Sequence, residues 1–189
     1  EESLAEGGEV SRYLEVAREE LRRAARIVTQ LRDLHRHTEA ENARPTDVNA
    51  LLGRVLVLAE KELADRDIEV VWEKGSDLVP LMLVPDRIQQ VILNIVLNAK
   101  DAMPAGGLLR IATSRSEEPD GVCISFTDTG AGIAEDDLEY IFDAFFSTKA
   151  EGLGLGLYVT RRIVEEHRGR VTAESKLGEG TTFTVWFPA

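Results

Sequence analysis

Residues 142–159 read FDAFFSTKAEGLGLGLYV and place three glycines, Gly152, Gly154 and Gly156, directly before an apolar run with the pattern of a helix. Glycines at a helix start leave backbone amides accessible, and such amides can hold a phosphate group. The spacing of these glycines fits neither the dinucleotide-binding pattern nor the P-loop pattern. The stretch therefore indicates a phosphate-binding loop of a different kind.

Composition and charge restrict the classes of protein that remain. The 189 residues are 43% hydrophobic, which is enough for one globular core. With 22 Lys and Arg against 34 Asp and Glu, the formal net charge is −12. This charge argues against a general affinity for nucleic acid or anionic membranes. A phosphate ligand would have to be held by local amides, cations or a metal ion.

Cysteine content and hydropathy bear on the compartment. The single cysteine, Cys123, lies in the strand-like segment GVCISFTD and is interpreted as a small core residue. It can form no internal disulfide, which is compatible with a reducing compartment. No apolar stretch reaches the length of about 18 residues expected of a membrane span. We therefore expect a cytoplasmic chain without membrane contact, either whole or as part of a longer protein.

The first part of the chain has the pattern of one long helix. From residue 10 onward, apolar residues recur at alternating steps of four and three, which is a heptad seam, at Leu14, Ala17, Leu21, Ala24, Val28 and Leu31. Such a seam predicts a helix that pairs with another helix. If its own partner helix is missing, the helix is expected to self-associate through this seam or to fray at its N-terminus, and self-association is favoured because two such helices bury both seams.

The segment ENARPTD, residues 41–47, ends this pattern. Thr46 or Asp47 then offers an N-cap for a second helix that reaches about Ala64. We therefore expect two parts, a heptad helix at 1–44 and a globular domain at 45–189.

Strand and helix periods alternate through the rest of the chain. The predicted elements are strand 68–73, helix 86–103, strands 108–115 and 121–128, helix 135–145, helix 155–167, and a closing hairpin of strands 169–175 and 181–188. This order predicts a two-layer α/β sandwich with a mixed sheet.

The helix at 86–103 carries the most informative polar residues. Asn94, Asn98 and Asp101 stand at i, i+4 and i+7 and share one face of an otherwise apolar helix. Buried amides are costly unless they are used. They can cap a neighbouring loop or bond to water, or Asn98 can offer its oxygen to Mg²⁺, which prefers hard oxygen ligands. The pattern alone leaves both interpretations open.

A second polar element follows the strand at 121–128. Asp128 ends this strand and is followed by Gly130 and Gly132, and a similar glycine-flanked turn, GEGTTF, occupies 178–183. Asp before glycine is common in plain turns. A carboxylate placed here can also accept a hydrogen bond from an exocyclic amine of a flat ligand.

Five segments occur together in a recognisable order, namely NIVLNAKDAM, DTGAGI, FDAFFSTK, GLGLGL and GEGTTF. They resemble the N, G1, F, G2 and G3 boxes of the ATP-binding domain of sensor histidine kinases, within the ATPase superfamily shared with gyrase, Hsp90 and MutL. The resemblance covers about residues 46–189. It implies the Bergerat fold, whose helices cover one face of a mixed sheet, and it implies ATP and Mg²⁺ as cofactors.

The resemblance also implies roles for individual residues. Asp128 would receive the adenine amine, with Gly132 allowing close approach, and Asn98 would hold Mg²⁺. Asn94 would lie near the phosphates, beneath a lid formed by about residues 134–151. Lys149 would be the lid cation, and its alternative is a solvated surface lysine. Asn94 and Lys149 are thus the expected catalytic residues, and further cofactor contacts are expected from Asp101, Gly130, Ile133, Phe142, Gly152, Gly154, Gly156, Leu157, Thr181 and Thr182.

Residues 13–37, YLEVAREELRRAARIVTQLRDLHRH, resemble the second helix of the dimerisation and phosphotransfer hairpin of the same family. The resemblance implies a homodimer through this helix, a phosphoacceptor histidine helix and a response regulator receiver domain as partners. The chain departs from the family pattern because none of its histidines is followed by an acidic residue and, soon after, by proline. His35, His37 and His167 are interpreted as surface or helix-terminal residues.

The implied function is transfer of the γ-phosphoryl group of Mg·ATP to a histidine that this chain does not supply. In the ATP-hydrolysing relatives a Glu that activates water stands where this chain has Asn94. That difference disfavours an ATPase of the gyrase or Hsp90 kind. The alternatives are a serine kinase of the anti-sigma type and a nucleotide-gated binding module that phosphorylates nothing.

Overall fold

The computed structural model describes residues 42–149 and 152–189. The predicted heptad helix, His35 and His37 lie outside these residues, so the boundary between the two expected parts stays a prediction. The strands are β1 (Arg44–Thr46), β2 (Ile68–Glu73), β3 (Leu81–Leu83), β4 (Gly107–Glu117), β5 (Asp120–Asp128), β6 (Arg170–Lys176) and β7 (Gly180–Pro188). The helices are α1 (Val48–Ala64), α2 (Pro85–Ala102), α3 (Glu135–Leu138) and α4 (Gly156–Glu166).

Five strands form the main sheet in the order β2-β4-β5-β7-β6. β2 pairs with β4 in parallel, whereas the other three pairings are antiparallel. The predicted mixed sheet and the closing hairpin of β6 and β7 are therefore confirmed. β2 and β6 lie at the two edges. A separate antiparallel pair, β1 with β3, was not predicted, because strands of three residues carry too little periodicity to be recognised.

Helices cover one face of the main sheet. In β5, Val122, Ile124 and Phe126 are buried and share one core with buried residues of α1, α2 and α4. The alternate residues of β5 point to the other face and are only partly buried. The predicted two-layer α/β sandwich is confirmed. Cys123 belongs to this second face, so its interpretation as a core residue is wrong, although partial burial still raises the pKa of its thiol.

Local capping explains where α1 begins. The Oδ1 atom of Asp47 accepts a hydrogen bond from the amide of Ala50 at 3.0 Å, which makes Asp47 the N-cap. Thr46 is instead the last residue of β1, and its hydroxyl donates to the carbonyl of Arg44 at 2.8 Å. Of the two expected caps, Asp47 is confirmed.

The helix predicted at 135–145 is wrong beyond its first turn. α3 ends at Leu138, and the chain continues through turns in which the amide of Asp143 bonds the carbonyl of Tyr140 at 2.8 Å. Phe145 then adopts a left-handed φ of 69°, which an α-helix does not accept. The turns let Phe142 pack edge-on against Phe183, with ring centroids 6.4 Å apart, so tertiary packing overrides the local helical pattern.

Among the residues that the structure describes, no helix is both long and apolar enough to cross a bilayer.

Candidate functional site

Asp128 is a buried acceptor at the end of β5. Strand alternation puts its side chain on the helix-covered face, where it is 3% exposed. Its Oδ1 atom accepts hydrogen bonds from the amides of Gly130 at 2.8 Å and Thr181 at 3.3 Å. Burial raises the pKa of Asp128, and these two hydrogen bonds oppose that increase. Since both bonds go to Oδ1, the carboxylate is fixed in orientation with Oδ2 available as an acceptor.

The loop after Asp128 rests on the C-terminal end of α2. The amide of Ala131 donates to the carbonyl of Ala102 at 3.0 Å, and a Cβ on Gly130 would lie only 2.7 Å from the Cβ of Ala102. Gly132 has a φ of 69°, and a Cβ there would lie 2.2 Å from the carbonyl oxygen of Lys176. Both glycines are therefore required by close approach to their own chain, a reason that the sequence did not suggest.

Ser175 of β6 holds the same loop from the other side and was not recognised in the sequence. Its Oγ accepts from the amide of Ile133 at 2.8 Å and lies 2.8 Å from the Oγ1 of Thr181. Thr182 points the opposite way, and its hydroxyl lies 3.0 Å from that of Thr127 on the uncovered sheet face. The structure thus brings Ile133 and Thr181 to the site, and it does not bring the side chain of Thr182 there.

Asn94 connects α2 to the start of α4. Its Nδ2 atom donates to the carbonyl of Gly156 at 3.1 Å and to the Oγ1 of Thr160 at 3.4 Å. This is the loop-capping use of a helix amide that the sequence left open. Thr160 was missed, although a polar residue within the apolar stripe Val159, Ile163 and Val164 is a signal that could have identified it.

Asn98 and Asp101 share a cation from the expected lid. The Nζ atom of Lys149 lies 2.9 Å from Oδ2 of Asp101 and 3.3 Å from Oδ1 of Asn98. Two oxygen atoms one helical turn apart thus converge on one ammonium group. Lys149 is half-exposed and paired, which is compatible with either of its two interpretations.

The three glycines of the opening stretch have different surroundings. A Cβ on Gly152 would lie 2.4 Å from the hydroxyl of Ser147, and one on Gly154, whose φ is 65°, would lie 2.4 Å from the carbonyl oxygen of Phe146. A Cβ on Gly156 would meet nothing within 4 Å. The first two glycines shape the loop, whereas Gly156 opens α4 beside unfilled space.

The N-terminus of α4 has the properties of an anion-binding end. Leu155 occupies the N-cap position without a side-chain hydrogen bond, and no acidic residue lies in the first turn. The first amides of a helix have no partner within the helix and carry partial positive charge. Leu157 and Phe142 are partly buried against the core on either side of the loop.

The parts of the site meet along α2. Asn94 holds the start of α4, Asn98 and Asp101 hold Lys149, and Ala102 supports the loop that follows Asp128. The arrangement offers the buried carboxylate of Asp128 at one end. At the other end it offers the backbone amides at the start of α4 and the ammonium group of Lys149. It suits a ligand with a hydrogen-bond donor on a flat ring and a polyanionic tail.

The side-chain oxygens of this site were compared with the ligands that a metal ion requires. The described residues include no group of three or more His, Cys, Asp or Glu side chains that would hold a metal by themselves. The convergence of Asn98 and Asp101 on an ammonium shows that their oxygens favour a cation. Mg²⁺ takes few protein oxygens and keeps several waters when it accompanies phosphates, so the donor set fits that ion.

Comparisons with known proteins agree with this geometry. The family described as histidine kinase-, DNA gyrase B-, and HSP90-like ATPase matches residues 83–189. Sensor histidine kinase ZraS of Escherichia coli (strain K12) is 39% identical over 182 residues, which are 96% of this chain and 38% of that protein. The chain therefore spans well under half of the length of this relative.

Two solved structures extend the likeness to three dimensions. Histidine kinase ThkA, in a crystal structure with response regulator protein TrrA, gives a TM-score of 0.75 at 26% identity, covering 93% of this chain and 50% of that chain. Full-length ShkA in complex with AMPPNP gives a TM-score of 0.73 at 27% identity, covering 86% of this chain and 36% of that chain.

Proposed function

Because the chain belongs to the family of histidine kinase-, DNA gyrase B- and HSP90-like ATPases, we propose that it binds Mg·ATP and transfers the γ-phosphoryl group to a histidine. The observation that carries this proposal is the buried carboxylate of Asp128, held through Oδ1 by two backbone amides. A carboxylate with one oxygen fixed in this way is ready to recognise a hydrogen-bond donor on a base.

We place the adenine against Asp128, with its exocyclic amine donating to Oδ2. Ile133 and Phe142, both partly buried against the core, provide apolar surface for the base. Gly130 and Gly132 keep the loop close to its own chain, so its shape is set before the ligand arrives. A preformed pocket loses less entropy on binding.

We place the triphosphate between the N-terminus of α4 and the Asn98–Asp101 face of α2. Asn98 would hold Mg²⁺, which neutralises charge on the phosphates during transfer. Lys149 must leave its present partners to let a metal reach these oxygens, and it is then free to neutralise a phosphate. Gly156, with open space beside it, would allow the phosphates close to the helix start.

The chemistry proposed for this chain is positioning and charge neutralisation. A neutral imidazole is a competent nucleophile near pH 7, so the acceptor needs no strong base from the ATP domain. Asn94 supports this assignment, because its Nδ2 is used to hold Gly156 and Thr160 and its amide cannot deprotonate water. Phosphoryl transfer is therefore favoured over hydrolysis.

The partners follow from the same proposal. ThkA was solved with a response regulator protein, and we propose that a receiver domain of that kind accepts the phosphoryl group downstream of this chain. We further propose a phosphoacceptor histidine on a separate helix, a homodimer through the heptad seam of residues 10–35, and a cytoplasmic location.

The proposal is tested by incubating the chain with γ-labelled ATP and a separately supplied phosphoacceptor hairpin. We expect an acid-labile, base-stable phosphoprotein, as a phosphohistidine requires. Asp128→Asn should reduce nucleotide affinity by about 2 kcal/mol, the scale of an unmatched buried hydrogen-bonding group, because its amide donor would face the adenine amine.

Asp120→Asn, at the exposed opposite end of the same strand, is the matched control and should bind ATP normally. Unchanged ATP affinity in Asp128→Asn would overturn the adenine assignment. Binding without any transfer would favour the nucleotide-gated binding module, and an acid-stable phosphoprotein would favour the serine kinase.

A further inference from the structure

His167 lies at the C-terminal end of α4 and contacts the N-terminal end of α2. Its Nε2 atom lies 3.1 Å from the amide nitrogen of Val84, which is the N-cap residue of α2. Its Nδ1 atom lies 2.7 Å from the carbonyl oxygen of Ile163. The ring packs edge-on against Phe187, with centroids 6.2 Å apart. His167 is the C-cap of α4, so its interpretation as a helix-terminal residue is confirmed. The contacts that both ring nitrogens make inside the fold were not predicted.

These two partners determine the protonation state of the ring. A carbonyl oxygen can only accept, so Nδ1 must carry a hydrogen, and a backbone amide can only donate, so Nε2 must be unprotonated. The contact pattern is therefore satisfied by the neutral imidazole with its hydrogen on Nδ1. A proton added to Nε2 would place two donors, the ring and the amide of Val84, opposite each other.

The His167 contact completes a connection between the two helices that carry the site. Near the start of α4, Asn94 donates to Gly156 and Thr160, and at its end His167 accepts from Val84. α4 is thus joined to α2 by hydrogen bonds near both of its ends. Loss of either hydrogen-bonded contact would weaken the attachment of α4 to α2, which the Arg87–Glu166 ion pair and the shared core would then have to maintain.

We propose that His167 is a positioning residue for the nucleotide site, holding α4 on α2 while it is neutral and releasing it when protonated. This inference rests on the proposed binding of ATP. Nucleotide affinity then decreases as pH falls, through a group that touches no part of the nucleotide.

Charged groups adjoin His167 in the chain and connect the same two helices, and they share in any pH response. Glu166 of α4 pairs with Arg87 of α2 at 3.5 Å and with Arg162 of its own helix at 3.5 Å. Arg168 follows the histidine directly, and β7 contributes the apolar ring of Phe187. These pairs remain when His167 is replaced. The contribution of His167 to the pH dependence is therefore obtained by comparing variants and not from the pH profile of one protein.

The first experiment measures ATP affinity between pH 8 and pH 5.5 for the unmodified chain, His167→Gln and His167→Ala. The amide oxygen of glutamine can take the place of Nε2 and accept from Val84 at every pH. We expect the unmodified chain to lose about three- to tenfold more affinity in acid than His167→Gln, the scale of one hydrogen bond. His167→Ala should be weaker than His167→Gln at pH 8. Parallel profiles for the unmodified chain and His167→Gln would overturn the proposal.

A second measurement separates this inference from the proposed function. Nitrogen NMR of the free chain should show the Nδ1–H tautomer at pH 8, and the amide signal of Val84 should shift together with the titration of the ring. If neither the chain nor its variants bind ATP, the proposed function fails while this signal still tests the contact of His167 with Val84. If the amide signal of Val84 stays constant while the ring titrates, the hydrogen bond between Val84 and His167 is refuted.

Discussion

Lys149 and Asp101 form an ion pair of 2.9 Å between Nζ and Oδ2, which joins the expected lid to the end of α2. The same ammonium reaches Oδ1 of Asn98 at 3.3 Å. These two oxygens are also the ones proposed to face the metal-bound phosphates. In the proposed complex, Lys149 and the ligand would therefore compete for the same side chains, and binding would begin with an exchange of partners.

Asp101→Asn should loosen the lid in the absence of nucleotide. An exposed ion pair contributes about 0.2–1 kcal/mol, so we expect hydrogen exchange at the amides of residues 147–149 to accelerate by up to about fivefold. Glu62→Gln is the control, since it removes a carboxylate that binds Lys100 at 2.8 Å and leaves Lys149 with both partners. Equal exchange in the two variants would mean that the pair does not restrain the lid.

Asn98→Ala should weaken binding of Mg·ATP more than binding of metal-free ATP. The substitution removes an oxygen from the proposed metal site and leaves the base contact of Asp128 intact. We expect a loss of at least about tenfold with Mg²⁺, the scale on which a group next to a metal affects its affinity. Titration calorimetry with and without Mg²⁺ measures both values, and equal losses would remove Asn98 from the metal site.

The same substitution at two positions of α2 should have different effects on stability. Asn94→Asp replaces an amide donor to Gly156 and Thr160 by a carboxylate, so we expect the free energy of unfolding to fall by about 1–3 kcal/mol. Asn98→Asp places a carboxylate beside the ammonium of Lys149 and should be neutral or slightly stabilising. Urea unfolding compares the two, and a similar loss in both would contradict the structural role of Asn94.

Alanine substitutions at two glycines of one loop should have different effects on stability. Gly154→Ala introduces a Cβ about 2.4 Å from the carbonyl of Phe146 at a left-handed φ, so it should destabilise the domain. Gly156→Ala meets nothing within 4 Å and should raise helix stability by up to about 1 kcal/mol. If phosphates approach Gly156, that same variant should nevertheless bind ATP less tightly. Thermal unfolding and ATP titration together test the pair, and undiminished affinity in Gly156→Ala would move the phosphates elsewhere.

The raised pKa of Asp128 predicts how its replacement changes stability with pH. A carboxyl whose pKa is raised on folding holds its proton more tightly in the folded state, and the resulting stabilisation is lost as pH rises through the raised value. The asparagine of Asp128→Asn would keep both hydrogen bonds through its side-chain oxygen without ionising. We therefore expect this variant to become increasingly more stable than the unmodified chain from acid to neutral pH.

Urea unfolding at several pH values measures this difference, with Asp120→Asn reporting the general effect of removing a carboxylate from β5. A constant difference between Asp128→Asn and the unmodified chain would contradict the assigned effect of burial. The same variant is thus expected to gain stability and lose nucleotide affinity, which separates folding from binding.

Long helices and strands were predictable because a single spacing of apolar residues runs through each of them. α1, α2, α4 and the five strands of the main sheet lie within a few residues of the predicted positions. The failures are local patterns overridden by contacts distant in sequence. The apolar residues after α3 look helical, but Phe142 packs against Phe183 and Phe145 turns left-handed.

The chemistry of the site was less predictable than its residues. The order of the five segments indicated Asp128, Asn94 and Asn98, and the structure shows what each contacts. Asn94 bonds a carbonyl 62 positions away, and Lys149 reaches Asp101 across 48 positions. No local period encodes such pairs. The contact of His167 was not predictable for the same reason, since its partner Val84 is 83 positions away.

The charged side chains of the edge strand β6 affect how two copies of the domain could pair. Arg170, Thr172, Glu174 and Lys176 alternate along its exposed side. If a second copy added antiparallel at this edge about Ala173, Arg170 would face Lys176 twice, and a parallel copy would set every charge against its own kind. Like charges opposite each other disfavour strand pairing. The β6 edge thus resists pairing with a second copy of itself, so crowding at high concentration should not join domains into fibres through this edge.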